Sequence, residues 1–234
     1  MMPTASAAGV SAPDLAGIAR LLANDSRAAM LLALLDGRAW TAGELAAATG
    51  IARSTASEHL NLLADAELIE ELRQGRHRYV RISSPTVAEE IESLAALSGV
   101  VRPARSSLPA QRADAAIREA RTCYRHLAGR LGVDICDRMR QAGHVTDHWQ
   151  LTASGQTWLR QMGAVLPAHS SRPLLRPCLD WTERRYHLAG TAADALLTAM
   201  LANTWLQPGP IPRALKLTTA GTQALSRLGT DTKS

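Results

Sequence analysis

The stretch TAGELAAATGIARSTASEHLNLL, residues 41–63, decides how this chain folds. Thr41 stands three residues ahead of Glu44, the spacing at which each side chain can satisfy a free backbone N–H of the other's turn, so a short helix is expected to open here and stop at Gly50. A further helix is expected from about Arg53 to Ala66, with Ala56, Leu60 and Leu63 on one face and Ser54, Ser57, Glu58 and Asn61 on the opposite one. Two short helices joined by a tight turn at residues 48–52 make a helix-turn-helix, whose second helix can enter a major groove. Hydroxyls and amides donate and accept at base edges, and Glu58 can accept from a cytosine amino group; Arg53, Thr55 and His59 complete the candidate reading surface.

Upstream, Leu15, Ile18, Ala19 and Leu22 form an apolar stripe on a first helix opened by Asp14. A second helix follows, with Asp25 or Ser26 as cap, Met30, Leu31, Leu34 and Leu35 as its core face, and Gly37 as its stop. Downstream, residues 68–73 and 77–82 have strand character around Gln74 and Gly75, which makes a hairpin wing. Its basic cluster of Arg73, Arg76, His77, Arg78 and Arg81 suits contact with a phosphate backbone, which contributes affinity and orientation but not base choice. A fifth helix over 86–97 carries Val87, Ile91 and Leu94 on one face, and breakers and basic residues over 99–109 read as linker. The expected organisation is a flexible 1–13, a winged helix over 14–98 for DNA binding and dimerisation, a linker over 99–112, and a second domain over 113–229.

Bulk properties agree with two domains. The chain has 234 residues, 46% hydrophobic and 20% charged, enough for a core without covalent staples. The formal charge of +5 does not locate a DNA surface, because residues 1–99 carry net −4, so clustering decides. Cys123, Cys136 and Cys178 are an odd number with no close pair, which favours free thiols and a reducing compartment. No stretch has the roughly 18 uninterrupted apolar residues of a membrane span, so a cytoplasmic location is expected.

NDSR at 24–27, STASEHLNLL at 54–63 and GRHRY at 75–79, in this order and spacing, resemble the ArsR/SmtB family of bacterial winged-helix repressors. The resemblance covers 80 to 90 residues at most. It implies a homodimer built from the first and fifth helices, binding an inverted repeat of double-stranded DNA and released by a ligand bound elsewhere. Leu15, Ile18, Leu22, Val87, Ile91 and Leu94 are then the dimer candidates, the alternative being that both stripes are core. Metal sensors of that family carry close cysteines on the third helix or Asp and His ligands on the fifth. Residues 41–50 contain no cysteine and 86–97 no histidine, so the resemblance carries DNA binding and not metal sensing.

The second half repeats itself. RHLAG at 125–129 parallels YHLAG at 186–190, and LTASG at 151–155 parallels LTTAG at 217–221, so units of about 121–163 and 182–229 are expected. Each reads as helix, short strand, then a helix begun by Leu-Thr-x-x-Gly, and the second carries about five extra residues within 207–213. The fold class is therefore α+β: a winged helix followed by a mostly helical, internally duplicated domain with a winged-helix-like cast.

Effector candidates are Cys123, His126, Cys178, Trp181 and His187. Cys123, three residues before His126, would share its helical face, and with Cys178 offers soft metal ligands. Because neither cysteine recurs in the other unit, no metal site and no cofactor is assigned. Arg176, Arg184 and Arg185 near Cys178 favour a reactive thiolate instead, against the plain reading of buried structural thiols. Trp149, Trp158, Trp181 and Trp205 are either core or the lining of an organic effector's pocket. No phosphate-cradling glycine loop, HExxH or GxSxG is present, so no enzymatic role is expected. The functional expectation is a transcriptional repressor controlled through its second domain, the alternative being a dimerisation module without operator binding.

Overall fold

The computed structural model describes residues 14–75, 77–98 and 108–228. The expected N-terminal segment 1–13, wing-tip Arg76 and most of the expected linker lie outside the described residues.

Helix α1 (Leu15–Leu22) is opened by Asp14, whose side chain accepts from the Gly17 amide. Helix α2 (Asp25–Leu34) is capped by Asn24, which accepts from Arg27 N, and not by Asp25 or Ser26. Asn24 keeps extended backbone while Asp25 already has helical geometry, so Asn24 is the residue whose side chain can reach back to the free N–H groups. Strand β1 (Trp40–Thr41) leads into α3 (Ala42–Thr49), opened by the Thr41–Glu44 capping box and closed by Gly50 in the left-handed conformation. Helix α4 (Arg53–Asp65) buries Ala56, Leu60 and Leu63. The wing is β2 (Ile69–Gln74) and β3 (His77–Ile82), antiparallel with Gln74 opposite His77; β1 joins β3, so the sheet order is β1-β3-β2. Helix α5 (Pro85–Ser98) closes this half, whose core gathers Met30, Leu34, Leu45, Leu60, Leu63 and Val80.

Helix α6 (Leu108–Glu119) begins inside the expected linker, a correction. Pro109 is the reason that stretch read as linker, yet a proline is tolerated in a helix's first turn, where its missing N–H has no intrahelical partner to lose. Two similar series then follow. Hairpin β4 (Arg121–Cys123) and β5 (His126–Ala128) leads into α7 (Arg130–Gln141), a single Val145–Leu151 bridge and α8 (Ala153–Gln161). Hairpin β6 (Arg176–Leu179) and β7 (Tyr186–Ala189) leads into α9 (Thr191–Ala202), hairpin β8 (Leu206–Pro208) and β9 (Leu215–Leu217), and α10 (Thr219–Leu228). The opening element is thus a hairpin where a helix was expected, because a tight turn between Cys123 and His126 reverses the chain.

The Leu-Thr-x-x-Gly segments have a physical reason. Thr152 Oγ1 accepts from Gly155 N at 3.1 Å and Thr218 Oγ1 from Gly221 N at 3.0 Å, capping α8 and α10. A Cβ on Gly155 would lie 2.2 Å from His144 O, and one on Gly221 2.4 Å from Trp205 O, so backbone approach excludes a side chain at both. The core of this half gathers Leu127, Met139, Leu159, Leu188, Leu196 and Met200.

The two cores meet along α5. Arg213 spans them, donating to Glu92 Oε1 at 2.7 Å, Leu32 O at 3.1 Å and Thr122 O at 3.1 Å. Both partners of the Arg213–Glu92 bridge are almost wholly buried, with side chains 8% and 6% exposed. Arg176 pairs with Glu89 at 2.9 Å, Arg184 donates to Ala96 O at 3.3 Å, and Tyr124 packs against the first core. Removing one member of a buried pair strands the other charge, so Glu92→Ala is expected to lower the unfolding free energy by about 3 kcal/mol in urea titration. A loss below about 0.5 kcal/mol would mean that the bridge is solvent-screened.

Candidate functional site

The first candidate surface is the outer face of α4 with the wing beside it. Arg53, Ser54, Glu58 and Asn61 are exposed and Thr55 and Ser57 half-buried, so the polar stripe faces outward as its spacing predicts. Ser57 Oγ donates to Arg53 O at 3.0 Å. His59 leaves this surface: half-buried, its Nδ1 lies 3.4 Å from Arg27 Nη1, on the side of α4 that meets α2. On the wing, Arg73 and His77 are exposed, but Arg78 is tied to Glu71 and to Asn61 Oδ1, and Arg81 to Glu70. Arg78 and Arg81 are thus paired within the wing itself, with side chains 34% and 50% exposed. Cross-strand carboxylates, which the alternating pattern does not reveal, are the cause.

The dimer candidates divide. Leu15 is 76% exposed and Leu94 47%, and neighbouring Leu97 is 79% exposed. Ile18 is half-buried. Ile91 is buried in the protomer's own core, and Leu22 and Val87, half-buried, pack against it, as the alternative core reading of both stripes has it. One helical stripe is wide enough to feed a core and leave a rim.

The second candidate site is buried. Cys123 stands opposite His126 across the β4–β5 hairpin, and Cys178 opposite His187 across β6–β7, and the two hairpins lie together. One ligand atom from each of the four side chains lies within 4.8 Å of the others. The two Sγ atoms are 3.8 Å apart, and the two imidazole centroids 5.1 Å. His126 and His187 are 3% and 0% exposed, yet Nε2 of each has no hydrogen-bond partner among the described residues.

Asp180, fully buried, organises this region. Its Oδ2 accepts from Gly129 N at 2.7 Å and lies 3.2 Å from His187 Nδ1, off the line of an ideal hydrogen bond. Its Oδ1 accepts from Thr182 N and Oγ1 at 2.9 and 2.7 Å, and lies 3.0 Å from Arg121 Nη2. Burial opposes the Asp180 charge, but these partners hold its carboxyl well below the usual range. The bond from Cys123, with His126 and His187 beside it, draws the Cys178 thiol well down against the opposing effect of burial, while burial pushes Cys123 well up. Burial lowers His126; for His187 burial acts the same way, but Asp180 and Cys178 outweigh it and raise the imidazole to about 9.

Four of the five effector candidates therefore converge. The exception is Trp181, whose ring stacks under the Arg121 guanidinium at 4.5 Å, while Trp149, Trp158 and Trp205 pack against the second core. Cys136 is buried in that core too. Cys123 and His126 do not share a helical face, because they are cross-strand partners and not helix neighbours. Nor is either cysteine without a counterpart. Arg-Thr-Cys at 121–123 parallels Arg-Pro-Cys at 176–178, and the spacing is C-x2-H in one series and C-x8-H in the other. Cys178 lies outside the expected unit of 182–229 because the turn between it and His187 is longer.

Comparison with known proteins agrees with the architecture. A family model described as a helix-turn-helix domain matches residues 22–71. Over 220 residues the chain is 36% identical to YdfF, an uncharacterized HTH-type transcriptional regulator of Bacillus subtilis (strain 168), covering 92% of this chain and 96% of that protein. The chain belongs to the HTH-type transcriptional regulators.

Among solved structures, this regulator is 31% identical to the homodimeric winged helix-turn-helix domain of Mb0332 from Mycobacterium bovis, a possible ArsR-family transcriptional regulator, over 36% of this chain and 77% of that one, with a TM-score of 0.34. It is 30% identical to the cadmium sensor CMTR of Mycobacterium tuberculosis over 40% of this chain and 97% of that one, with a TM-score of 0.33.

Loss of the Asp180 carboxylate strands the fully buried Arg121. Asp180→Ala in this regulator is therefore expected to cost about 3–5 kcal/mol in denaturant unfolding. An unchanged midpoint would contradict the role given to this carboxylate.

Proposed function

We propose that this regulator is a homodimeric, sequence-specific repressor that binds an inverted repeat of double-stranded DNA and is controlled by an effector at its C-terminal half. The observation that carries the reading is the outward polar face of α4, with the exposed wing residues Arg73 and His77 beside it. Arg53, Ser54, Thr55, Ser57 and Glu58 then meet base edges and flanking phosphates, with Asn61 fixed by Arg78 at the edge of that face. The arrangement of the family that the N-terminal half resembles supports the dimer, and so do the exposed Leu15, Leu94 and Leu97 on α1 and α5. We divide the chain into a winged helix over 14–98 and a C-terminal domain over 108–228. The matching hairpins and capped Thr-x-x-Gly turns support an internal duplication within the latter. The free cysteines accord with a reducing, cytoplasmic setting.

Duplexes enriched from a random pool by the purified full chain provide the test. Arg73→Ala is expected to weaken binding to all sequences alike and to reduce the salt slope by about one, whereas Ser54→Ala shifts which bases are enriched. Equal affinity of Arg73→Ala and the parent protein at moderate salt would overturn the wing's role, and failure to enrich any sequence would leave a dimerisation module.

A charge on the proposed dimer rim provides a second check. Leu97→Glu is expected to shift the protein from dimer to monomer in sedimentation velocity, and an undisturbed dimer would place the interface elsewhere.

A further inference from the structure

We propose that Cys123, His126, Cys178 and His187 form a tetrahedral four-ligand site for a single zinc ion, and that this ion is the effector that sets the winged helix's hold on DNA. The second part rests on the function proposed above.

The geometry fits the ion. With Zn–S bonds of about 2.3 Å, two thiolates on a tetrahedral centre stand about 3.8 Å apart. The two Sγ atoms are already at 3.8 Å, and all four ligand atoms lie within 4.8 Å of one another. Nε2 of His126 and of His187 are buried polar atoms without a partner among the described residues. An unpartnered buried donor or acceptor is costly, and a metal engages both nitrogens at once. A Cys123–Cys178 disulfide would use the sulfurs and leave both nitrogens stranded. Asp180 lies 3.2 Å from Nδ1 of His187, the outer carboxylate that orients a metal-bound imidazole.

The donor set selects the charge. Two thiolates and two neutral imidazoles bring −2, so a divalent ion gives a neutral buried centre and a monovalent one leaves a net negative charge. Protons held on the four ligand atoms pass to solvent as the ion binds, and no oxidation is involved.

Both ligand hairpins also touch the winged helix. Tyr124, between Cys123 and His126, packs against its core, and Thr122 O accepts from Arg213, which holds Glu92 of α5. Arg176, two residues before Cys178, pairs with Glu89 of α5 at 2.9 Å. An ion that fixes one hairpin against the other therefore fixes two anchors of α5.

The full chain is purified under reducing conditions, stripped with chelator and titrated with zinc chloride, while its affinity for the duplex enriched above is read by anisotropy in the same samples. One zinc per chain is expected, displaced stoichiometrically by a chromophoric chelator. Cobalt(II) should give the ligand-field and thiolate charge-transfer bands of a tetrahedral S2N2 site. Cys178→Ser and His187→Gln should lose the equivalent, and Cys136→Ala should keep it. Zinc is expected to change duplex affinity at least tenfold in the parent protein. Where a ligand variant fails to fold, the cobalt spectrum of the parent protein decides.

Failure of the parent protein to retain an equivalent, or its retention by folded Cys178→Ser, would overturn the site. One bound zinc with duplex affinity unchanged would overturn the effector role and leave the DNA-binding reading standing. One bound zinc with no duplex bound in either state would uphold the site and refute the DNA-binding reading instead.

Discussion

A carboxylate with no access to water is stable only while every partner stays in place, and Asp180 is such a group. It reaches Arg121 on β4, the Gly129 amide just after β5, Thr182 in its own turn and His187 on β7. One side chain thus fastens the two hairpins of the C-terminal half to each other. The position of the His187 ring, and with it the meeting of two cysteines and two histidines, follows from that anchor.

Helix α5 carries the consequence across the molecule. Its inner face supplies Ala88 and Ile91 to the winged-helix core, its acidic residues Glu89 and Glu92 receive Arg176 and Arg213 from the other half, and Leu94 and Leu97 remain exposed. Core packing, ion pairs and an exposed apolar rim share fourteen residues. In a densely packed element of this sort, a shift at one face is not absorbed locally, which is the physical basis of the coupling proposed above.

Much of the winged helix was legible from residue spacing, because its signals are local. The Thr41–Glu44 box, Gly50, the α4 faces and the Gln74–Gly75 turn each involve residues a few positions apart, and all stand where the sequence puts them. What escaped was non-local: Glu70 and Glu71 neutralising the wing's Arg81 and Arg78, and Arg27 drawing His59 away from the outer face. In the second half the recurring Leu-Thr-x-x-Gly was readable as a motif, yet the Cys–His pairing was not. It spans a short turn in one hairpin and a long one in the other, and sulfur atoms 55 residues apart meet only through the tertiary fold. Helical spacing was the wrong ruler for a cross-strand pair.

If two copies of α4 read a two-fold symmetric duplex, as proposed, hydroxyl-radical footprinting of the full chain on an enriched duplex will show it. Two protected patches are expected on one face of the helix, their centres about ten base pairs apart as a dimer of helix-turn-helix units requires. A single patch, or an even coating that fades with salt, would contradict the claim.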